Sequence, residues 1–595
     1  MLTEKKFVVN RALTVVCTII LLFSFAGCSA SSDETPVPSL PQSNGKPQYG
    51  GAFTVAYPAE QRGFDSALVN FGYISSLHLT ANTMIEGDWG KGPSGDQQAD
   101  FDTSTPPLAV NKGILAERWE FVGDDTVKLY IRQGVHFALN QNSEASKLVD
   151  GREMTAEDVA FSLRRQFNME PSVSVPDAYA LSRLTPDEYP TSIEIIDKYT
   201  VEVKGKPEFL GSLFYWLSAV AIYPPEVVRK YGDLTNPLND VGTGAFYLSD
   251  YRQNSSITFT RNDNYWETNP YGIGKGDRLP YVDSVKFLVI PDLSTRLSAF
   301  RSGQIDQIQD VSWDDFKQLT KENPNLKYKR IVNSPQGLAL RSDKPGQPWH
   351  DVKVRQALQM AIDLDAIVDD YFEGEAEKLA YPIAPRKLFK SLGVYREFDT
   401  LPDNVKEILT YNPEKAKQIL ADAGYPDGFT IHVILKSSHV DLASILQNQL
   451  QKIGVTLDLQ VREDSVYTSI ASSKSHEEGI FVEELTGAPQ AFHEFRPTDP
   501  GNTAMIDDPT TNKMIAEFAE DFMVNDEEAW PRLGEYTPYI LEQAWYLFLP
   551  VPYTYTVWQP WVQNYNGENS IGAGHFGNYP RYIWIDRELK KTLGK

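Results

Sequence analysis

Two cysteines, eight histidines and 80 acidic residues are among the groups in this 595-residue chain that could hold a metal, attack a substrate or carry protons. The histidines stand at positions 78, 136, 350, 432, 439, 476, 493 and 575, with no His-Glu-x-x-His and no Cys-His cluster, so their spacing points to no structural metal site. Neither a Gly-x-Ser-x-Gly elbow nor a Walker phosphate loop occurs. The one formal Gly-x-Gly-x-x-Gly match, at Gly572, Gly574 and Gly577, has no strand before it and Pro580 after it, and reads as a loop. The acidic pairs Asp314-Asp315, Asp369-Asp370 and Glu483-Glu484 have the right chemistry for acid and base work, but adjacent carboxylates arise without catalysis in so acidic a chain. The expectation is no catalytic residue, no metal and no cofactor, with a secreted hydrolase as the rival class.

One cysteine has a context. Lys5, Lys6 and Arg11 precede the apolar run Ala12 to Ala26, which ends at Gly27 and Cys28, the layout of a secretory leader. As a helix that run reaches about 22 Å, short of the roughly 30 Å hydrocarbon core of a bilayer. A retained membrane anchor remains the alternative. Phe25-Ala26-Gly27-Cys28 resembles the bacterial lipobox, in which the cysteine is acylated and becomes the mature N-terminus, with Phe25 where an aliphatic residue is usual. Cleavage there removes Cys17 and leaves Cys28 without a disulfide partner in its own chain. The stretch that follows, Ser29 to Gln48, is rich in Ser and Pro and has no apolar periodicity, so it reads as a tether about 25 Å across. The expected location is exported, lipid-anchored to the outer face of the cell membrane or periplasmic.

Composition bounds the rest. About 550 residues beyond leader and tether exceed what one hydrophobic core supports, so two or three domains are expected. Fifty-six basic against 80 acidic residues give a net charge of -24. Such a balance disfavours nucleic acid as a partner, because phosphate binding needs cations, and disfavours docking on anionic lipid heads.

Elements follow from caps and periodicity. In MTAEDVAFSLRRQF, Thr155 is the N-cap with Asp158 three residues on, and Ala156, Val159, Ala160, Leu163 and Phe167 form one face of a helix. In NPEKAKQILADAG, Asn412 caps, Pro413 takes the first turn and Gly424 closes the end. A third helix is read through Asp351 to Phe372, and a fourth through DLASILQNQLQKIG, followed by the alternating strand VTLDLQV. TVKLYIR, YTVEVK, SITFTR and VKFLVI read as further strands. Helices running directly into strands indicate an α/β protein.

Taken in order, several stretches resemble the family 5 extracellular solute-binding proteins of ABC transporters, the oligopeptide, dipeptide and nickel-binding group. They are Gly113 to Phe137, Asp150 to Arg165, Val241 to Tyr251, Arg261 to Trp266, Leu279 to Asp306, Val354 to Asp363 and Tyr411 to Phe429. The resemblance implies a two-lobed α/β fold of the periplasmic-binding-protein type II kind, with an extra N-terminal subdomain, mixed sheets flanked by helices and a hinge between the lobes. It implies a signal peptide over 1–27, a lipidated tether over 28–48, lobe I over 49–70 and 223–333 with its extra subdomain over 71–222, lobe II over 334–550 and a return to lobe I over 551–595. The chain crosses outward near Asn333 to Asp343 and back near Leu549 to Trp558. It implies a monomer that does no chemistry, captures an oligopeptide or other small solute between the lobes and delivers it to the transmembrane subunits of an ABC permease. An oligosaccharide or a nickel chelate is the alternative cargo.

The same resemblance suggests where to look for the site. Arg341 stands where the family commonly has asparagine, and its guanidinium could fork onto a ligand carboxylate or lie on the surface. Gly242, Thr243 and Gly244 either admit a ligand closely or form a structural turn. Glu483 or Glu484 occupies the region where peptide-binding relatives present an aspartate to the ligand ammonium. Tyr553 and Tyr555 alternate with Thr554, Thr556 and Trp558, so one face of this strand could wall a pocket or enter the core.

Overall fold

A computed structural model describes residues 45–69, 74–101, 107–483, 494–497, 499, 501–571 and 578–595. The leader, Cys28, most of the tether, Glu484 and the loop glycines Gly572, Gly574 and Gly577 lie outside the described residues. Among the described residues, no helix is long and apolar enough to cross a membrane.

Lobe I is built on an eight-stranded sheet. Across the sheet, the strands run Lys327–Val332, Val551–Trp558, Gln307–Val311, Ala52–Tyr57, Ser284–Val289, Ser256–Arg261 and Phe246–Arg252, with the short strand Ala376–Glu377 added to Val551–Trp558. Ala52–Tyr57 is parallel to both Ser284–Val289 and Gln307–Val311, and the remaining pairings are antiparallel. Period-two alternation sets the faces: Phe53 and Val55 are buried in the first strand, Val285 and Phe287 in its neighbour. Ile308, Tyr555 and Val557 pack under the helices Leu293–Arg301 and Trp313–Glu322 in one apolar cluster.

Lobe II carries a five-stranded sheet in the order Val455–Arg462, Phe429–Lys436, Gly479–Glu483, Gln336–Leu340, Tyr546–Phe548. Its first three strands are mutually parallel. In Val455–Arg462 the apolar alternation is real, but Val461 is exposed because the strand is an edge and its far end is uncovered. The extra subdomain is a four-stranded antiparallel sheet, Ala116–Val122, Thr126–Ile131, Thr200–Lys204 and Ser192–Asp197, backed by the helices Ala156–Gln166 and Leu210–Ala219.

The caps read from sequence are present. Thr155 and Asp158 form a reciprocal capping box, and the Asn412 side chain accepts from the Lys415 N–H. The long helix read through Asp351 to Phe372 is instead broken. Val352–Met360 is capped by Asp351 and stops, and the Asp363 carboxylate accepts from the Ala366 N–H to start a new helix at Leu364. Gln449 accepts from the Asp363 N–H at 2.8 Å, so a tertiary contact fixes a break that the apolar pattern does not show.

A buried ion network pins the C-terminal segment to the rest of lobe I. Arg581 bridges Glu86 and Glu267, at 2.9 Å to the latter, and Lys112 reaches Glu267 at 2.8 Å. Two carboxylates face two cations, so the cluster carries no uncompensated charge. Trp89 stacks on Tyr582 with ring centres 4.5 Å apart, which fixes the short helical turn Trp89–Lys91 against the same network.

Candidate functional site: the cleft between the lobes

The chain leaves the lobe I sheet after Val332 and enters the lobe II sheet at Gln336; it leaves lobe II after Phe548 and re-enters lobe I at Val551. The two crossings run side by side. The Asn333 N–H donates to the Pro552 carbonyl (3.1 Å) and the Leu549 N–H to the Gln336 carbonyl (3.2 Å). Val332 lies opposite Tyr553 on one side, and Gly337 lies opposite Phe548 on the other. Counting inward from both pairs keeps the strands in step and sets Pro335 opposite Pro550. From lobe II, Ala376–Glu377 adds to the same place, pairing with Pro552 and Val551.

Strand direction then locates the cleft. Lys327–Val332 runs the same way as Gln307–Val311, so the carboxyl ends of the parallel lobe I strands, at Tyr57, Val289 and Val311, lie on the hinge side. In lobe II, Glu483 is opposite Gln336 at the hinge, and Lys436 and Arg462 end the strands parallel to it. Two carboxyl edges therefore face one another across a two-stranded hinge. Ligands of open α/β sheets bind at such edges.

On the lobe II edge, the Glu483 carboxylate accepts from His439 Nε2 (2.7 Å) and Lys436 Nζ (2.8 Å). The His439 bond first, and the Lys436 bond after it, hold its pKa down to about 2. His439 is buried beside the rings of Phe481 and Tyr467. Glu483 thus has two partners of its own at the rim, the Lys436 ammonium and the His439 ring.

On the lobe I edge, Tyr57 packs edge-on against Phe287 and hydrogen-bonds Ser75, and burial pushes its hydroxyl pKa up to about 12. Nearby, pairing between Gln307–Val311 and the hinge strand shifts between Ile308 and Val311. Asp310 there takes a φ of 56° and is exposed. No sequence signal marked this residue, because a positive φ at a non-glycine is invisible in composition.

The other expected site residues have partners within the protein. Arg341 follows the far end of Gln336–Leu340, away from the hinge, and forks onto Asp343 (2.9 and 2.6 Å) while donating to the Lys474 and His476 carbonyls (3.0 and 2.7 Å). Its fork is filled within lobe II. Gly242 and Gly244 press on the backbone of Leu79–Ala81; a Cβ on Gly242 would lie 2.2 Å from the Thr80 oxygen, and one on Gly244 2.4 Å from the Leu79 oxygen. Thr243 is fully buried and donates to Asn82 at 3.2 Å. The turn is a close-packing device. Tyr555 stacks on Phe316 with ring centres 4.0 Å apart and donates to Glu375 at 2.6 Å, while Tyr553 donates to Glu377. These tyrosines tie the lobe II strap to the hinge strand. Trp558 is buried on the opposite face against Tyr565. From Tyr555 to Trp558 both faces of this strand are buried, whereas Tyr553 and Thr554 near the hinge are half-buried.

Lobe II also meets the extra subdomain directly. Arg496 lies 3.5 Å from Glu188 and Arg183 3.8 Å from Asp499, and Asp526 accepts from the Leu108 N–H at 2.5 Å. At the centre of this contact, the helix Leu210–Ala219 packs on Pro509–Asp521, with Gly211 against the Phe522 carbonyl. One apolar cluster runs through both bodies.

A two-lobed body with a double-strand hinge and facing carboxyl edges is the architecture of a solute-binding protein that encloses its cargo. Residues 112–496 match the profile of bacterial extracellular solute-binding proteins, family 5 Middle, and the chain belongs to that family. It is 27% identical over 494 residues to heme-binding protein A of Haemophilus influenzae, spanning 79% of this chain and 80% of the relative. With the oligopeptide-binding protein AppA of Bacillus subtilis it shares 29% identity over 486 residues, 76% of this chain and 77% of AppA. The structure of AppA in complex with a nonapeptide superposes with a TM-score of 0.66 at 21% identity, covering 91% of this chain and all (100%) of AppA. The ABC transporter-associated periplasmic binding protein DppA of Helicobacter pylori, in complex with peptide STSA, gives a TM-score of 0.66 at 21% identity over 91% and 99% of the two chains. These likenesses establish the same two-lobed fold.

Proposed function

We propose that this chain is the extracytoplasmic receptor of an ABC importer, anchored through a lipid on Cys28, that captures oligopeptides between its lobes and hands them unchanged to the permease. The observation that carries the reading is the pair of carboxyl edges facing across the two-stranded hinge. Such a cleft binds by closure, and its selectivity comes from the edge loops and rim charges. Relatives named for oligopeptide and dipeptide binding support peptide as the cargo. The anionic surface, with a net charge of -24, leaves attachment to anionic lipid heads to the covalent anchor.

The test is mass spectrometry of whatever co-purifies with the full chain, followed by incubation with mixed peptides and glycans. Recovery of intact peptides supports the reading. Recovery of heme, glycan or a nickel chelate redirects the cargo, and turnover of any substrate overturns the receptor assignment.

A further inference from the structure

The edge of lobe I opposite the cleft carries a loop that is folded with care and covers no core. Ala52–Tyr57 and Ser284–Val289 run side by side towards the cleft, so the segments that lead into them, residues 45–51 and 269–283, lie at the other edge of the sheet. The loop is built round one buried side chain. Asn269 donates from Nδ2 to the Tyr281 hydroxyl at 2.9 Å and to the Ile273 carbonyl at 3.3 Å, and its Oδ1 accepts from the Tyr271 N–H at 3.2 Å. Its backbone bonds Gly276 and Asp277, each at 2.8 Å. Gly272 and Gly274 turn the chain at φ of 68° and 87°, which a side chain would oppose.

What this scaffold holds out is apolar. Ile273 is 63% exposed, the most exposed large apolar side chain among the described residues, and Tyr271 is 40% exposed two residues away. The incoming chain extends the patch: a Cβ on Gly274 would stand 2.6 Å from Pro47 Cγ, one on Gly45 would stand 3.7 Å from Ile273 Cδ1, and exposed Tyr49 donates to the Arg278 carbonyl at 2.7 Å. Apolar side chains gathered at one exposed spot mark a contact surface.

The origin of the chain says what covers it. Cys28 lies 17 residues before Gly45. A flexible segment of that length spans about 20 to 25 Å, against a diameter of about 60 Å for a compact body of roughly 550 residues. A lipid on Cys28 therefore holds this edge of lobe I nearest the bilayer. The charges agree with that placement. Lys46, Lys275 and Arg278 are exposed, whereas Asp277 is half-buried and accepts from the Tyr281 hydroxyl at 3.3 Å, and Asp263 is paired with Arg261 at 3.3 Å. Cations round an apolar tip, in a chain of net charge -24, suit the phosphate level of a bilayer above its hydrocarbon.

We propose that Tyr271 and Ile273, with Tyr49, form a membrane-contact loop that seats lobe I in the bilayer interface, Ile273 among the acyl chains and the two tyrosines at the headgroups. This rests on the lipid anchor at Cys28 proposed above. The tether keeps the loop at high local concentration over the surface, so a weak insertion is enough. Seated in this way, the carboxyl edge of lobe I and the cleft face away from the membrane, towards arriving solute.

The experiment reconstitutes the full-length lipidated chain into phosphatidylcholine vesicles and floats them in a density gradient. With the leader removed, the one natural cysteine is acylated, so Ile273→Cys and Val461→Cys each add a single free thiol for a nitroxide label. Val461, 47% exposed on lobe II, is the aqueous reference. The protein is expected to float, and the label at position 273 to collide several-fold more with oxygen and several-fold less with a water-soluble nickel chelate than the label at 461. Equal exposure to water of both labels in floating protein overturns the role of the loop and leaves the anchor standing. A label at 273 shielded from both reagents means that the tether or a second copy covers the patch, and overturns it as well. Protein that fails to float overturns the anchor and this inference with it.

Discussion

Gly211→Ala is expected to hold the protein open. A Cβ on Gly211 would stand 1.8 Å from the Phe522 carbonyl oxygen and 3.2 Å from that of Ala519. Carbon and oxygen approach no closer than about 3.3 Å in ordinary packing, so the helix Leu210–Ala219 must retreat by roughly 1.5 Å from lobe II. Overpacking of this kind costs about 1 to 3 kcal/mol. The cost falls only on the form in which lobe II meets the subdomain, so it shifts the closing equilibrium about 5- to 150-fold and weakens ligand binding by the same factor. Within the subdomain alone the change works the other way, because alanine favours a helix over glycine by up to about 1 kcal/mol. Affinity and stability are thus expected to part company: calorimetric titration with the co-purified ligand shows the loss, small-angle scattering of the loaded protein shows a larger radius of gyration, and the melting temperature stays near the parent's. Gly346→Ala in lobe II, where a Cβ meets nothing within 4 Å, is the control and is expected to change neither. If Gly211→Ala binds within twofold of the parent with the same scattering profile, the contact between Gly211 and Phe522 has no part in closure.

His476 is buried, its Nε2 bonds the Thr503 carbonyl at 2.8 Å, and burial holds its pKa down to about 4. The unfolded chain takes up that proton near pH 6.5, so the contribution to stability is complete above 6.5 and is lost progressively as pH falls towards 4. By pH 5 the loss is about 2 kcal/mol; urea unfolding at pH 7.5 and 5 is expected to show a drop that much larger in the parent than in His476→Gln, and equal drops would refute the assignment. Arg341→Ala breaks bonds internal to lobe II, so it is expected to cost about 1 to 3 kcal/mol of stability with ligand affinity within twofold of the parent, and an affinity loss above tenfold would return Arg341 to the cleft. Cys28→Ser is expected to move the chain from the detergent phase to the aqueous phase on phase partitioning, whereas continued membrane association would mean that the leader is a retained helix.

Local grammar was legible in this sequence, and long-range partners were not. Thr155 with Asp158 and Asn412 with Pro413 announced helix starts that the structure contains, because a cap is made by residues a turn apart. The break after Met360 was not announced, because the group that stabilises it, Gln449, is remote in sequence. Arg341 looked available for the same reason: two of its partners are carbonyls at positions 474 and 476. The alternation of Tyr553 and Tyr555 with Thr554 and Thr556 correctly read as a strand, but periodicity gives the faces and not what covers them. Asp310 carries no sequence mark, since its distinction is a backbone angle.

The two crossing strands set a mechanical constraint. Their pairing keeps one register from Val332 opposite Tyr553 to Gly337 opposite Phe548, and the rungs between include Pro335 and Pro550, neither of which has an N–H to lose. A ribbon of this kind resists shear, because sliding one strand past the other would break every rung on both sides. Bending at the prolines breaks none. Flexure at the proline rungs therefore breaks fewer ribbon bonds than translation along the ribbon does. A solute held between the lobes is then expected to meet lobe II in one register along the ribbon, which leaves differences in solute length to the loops at the carboxyl edges.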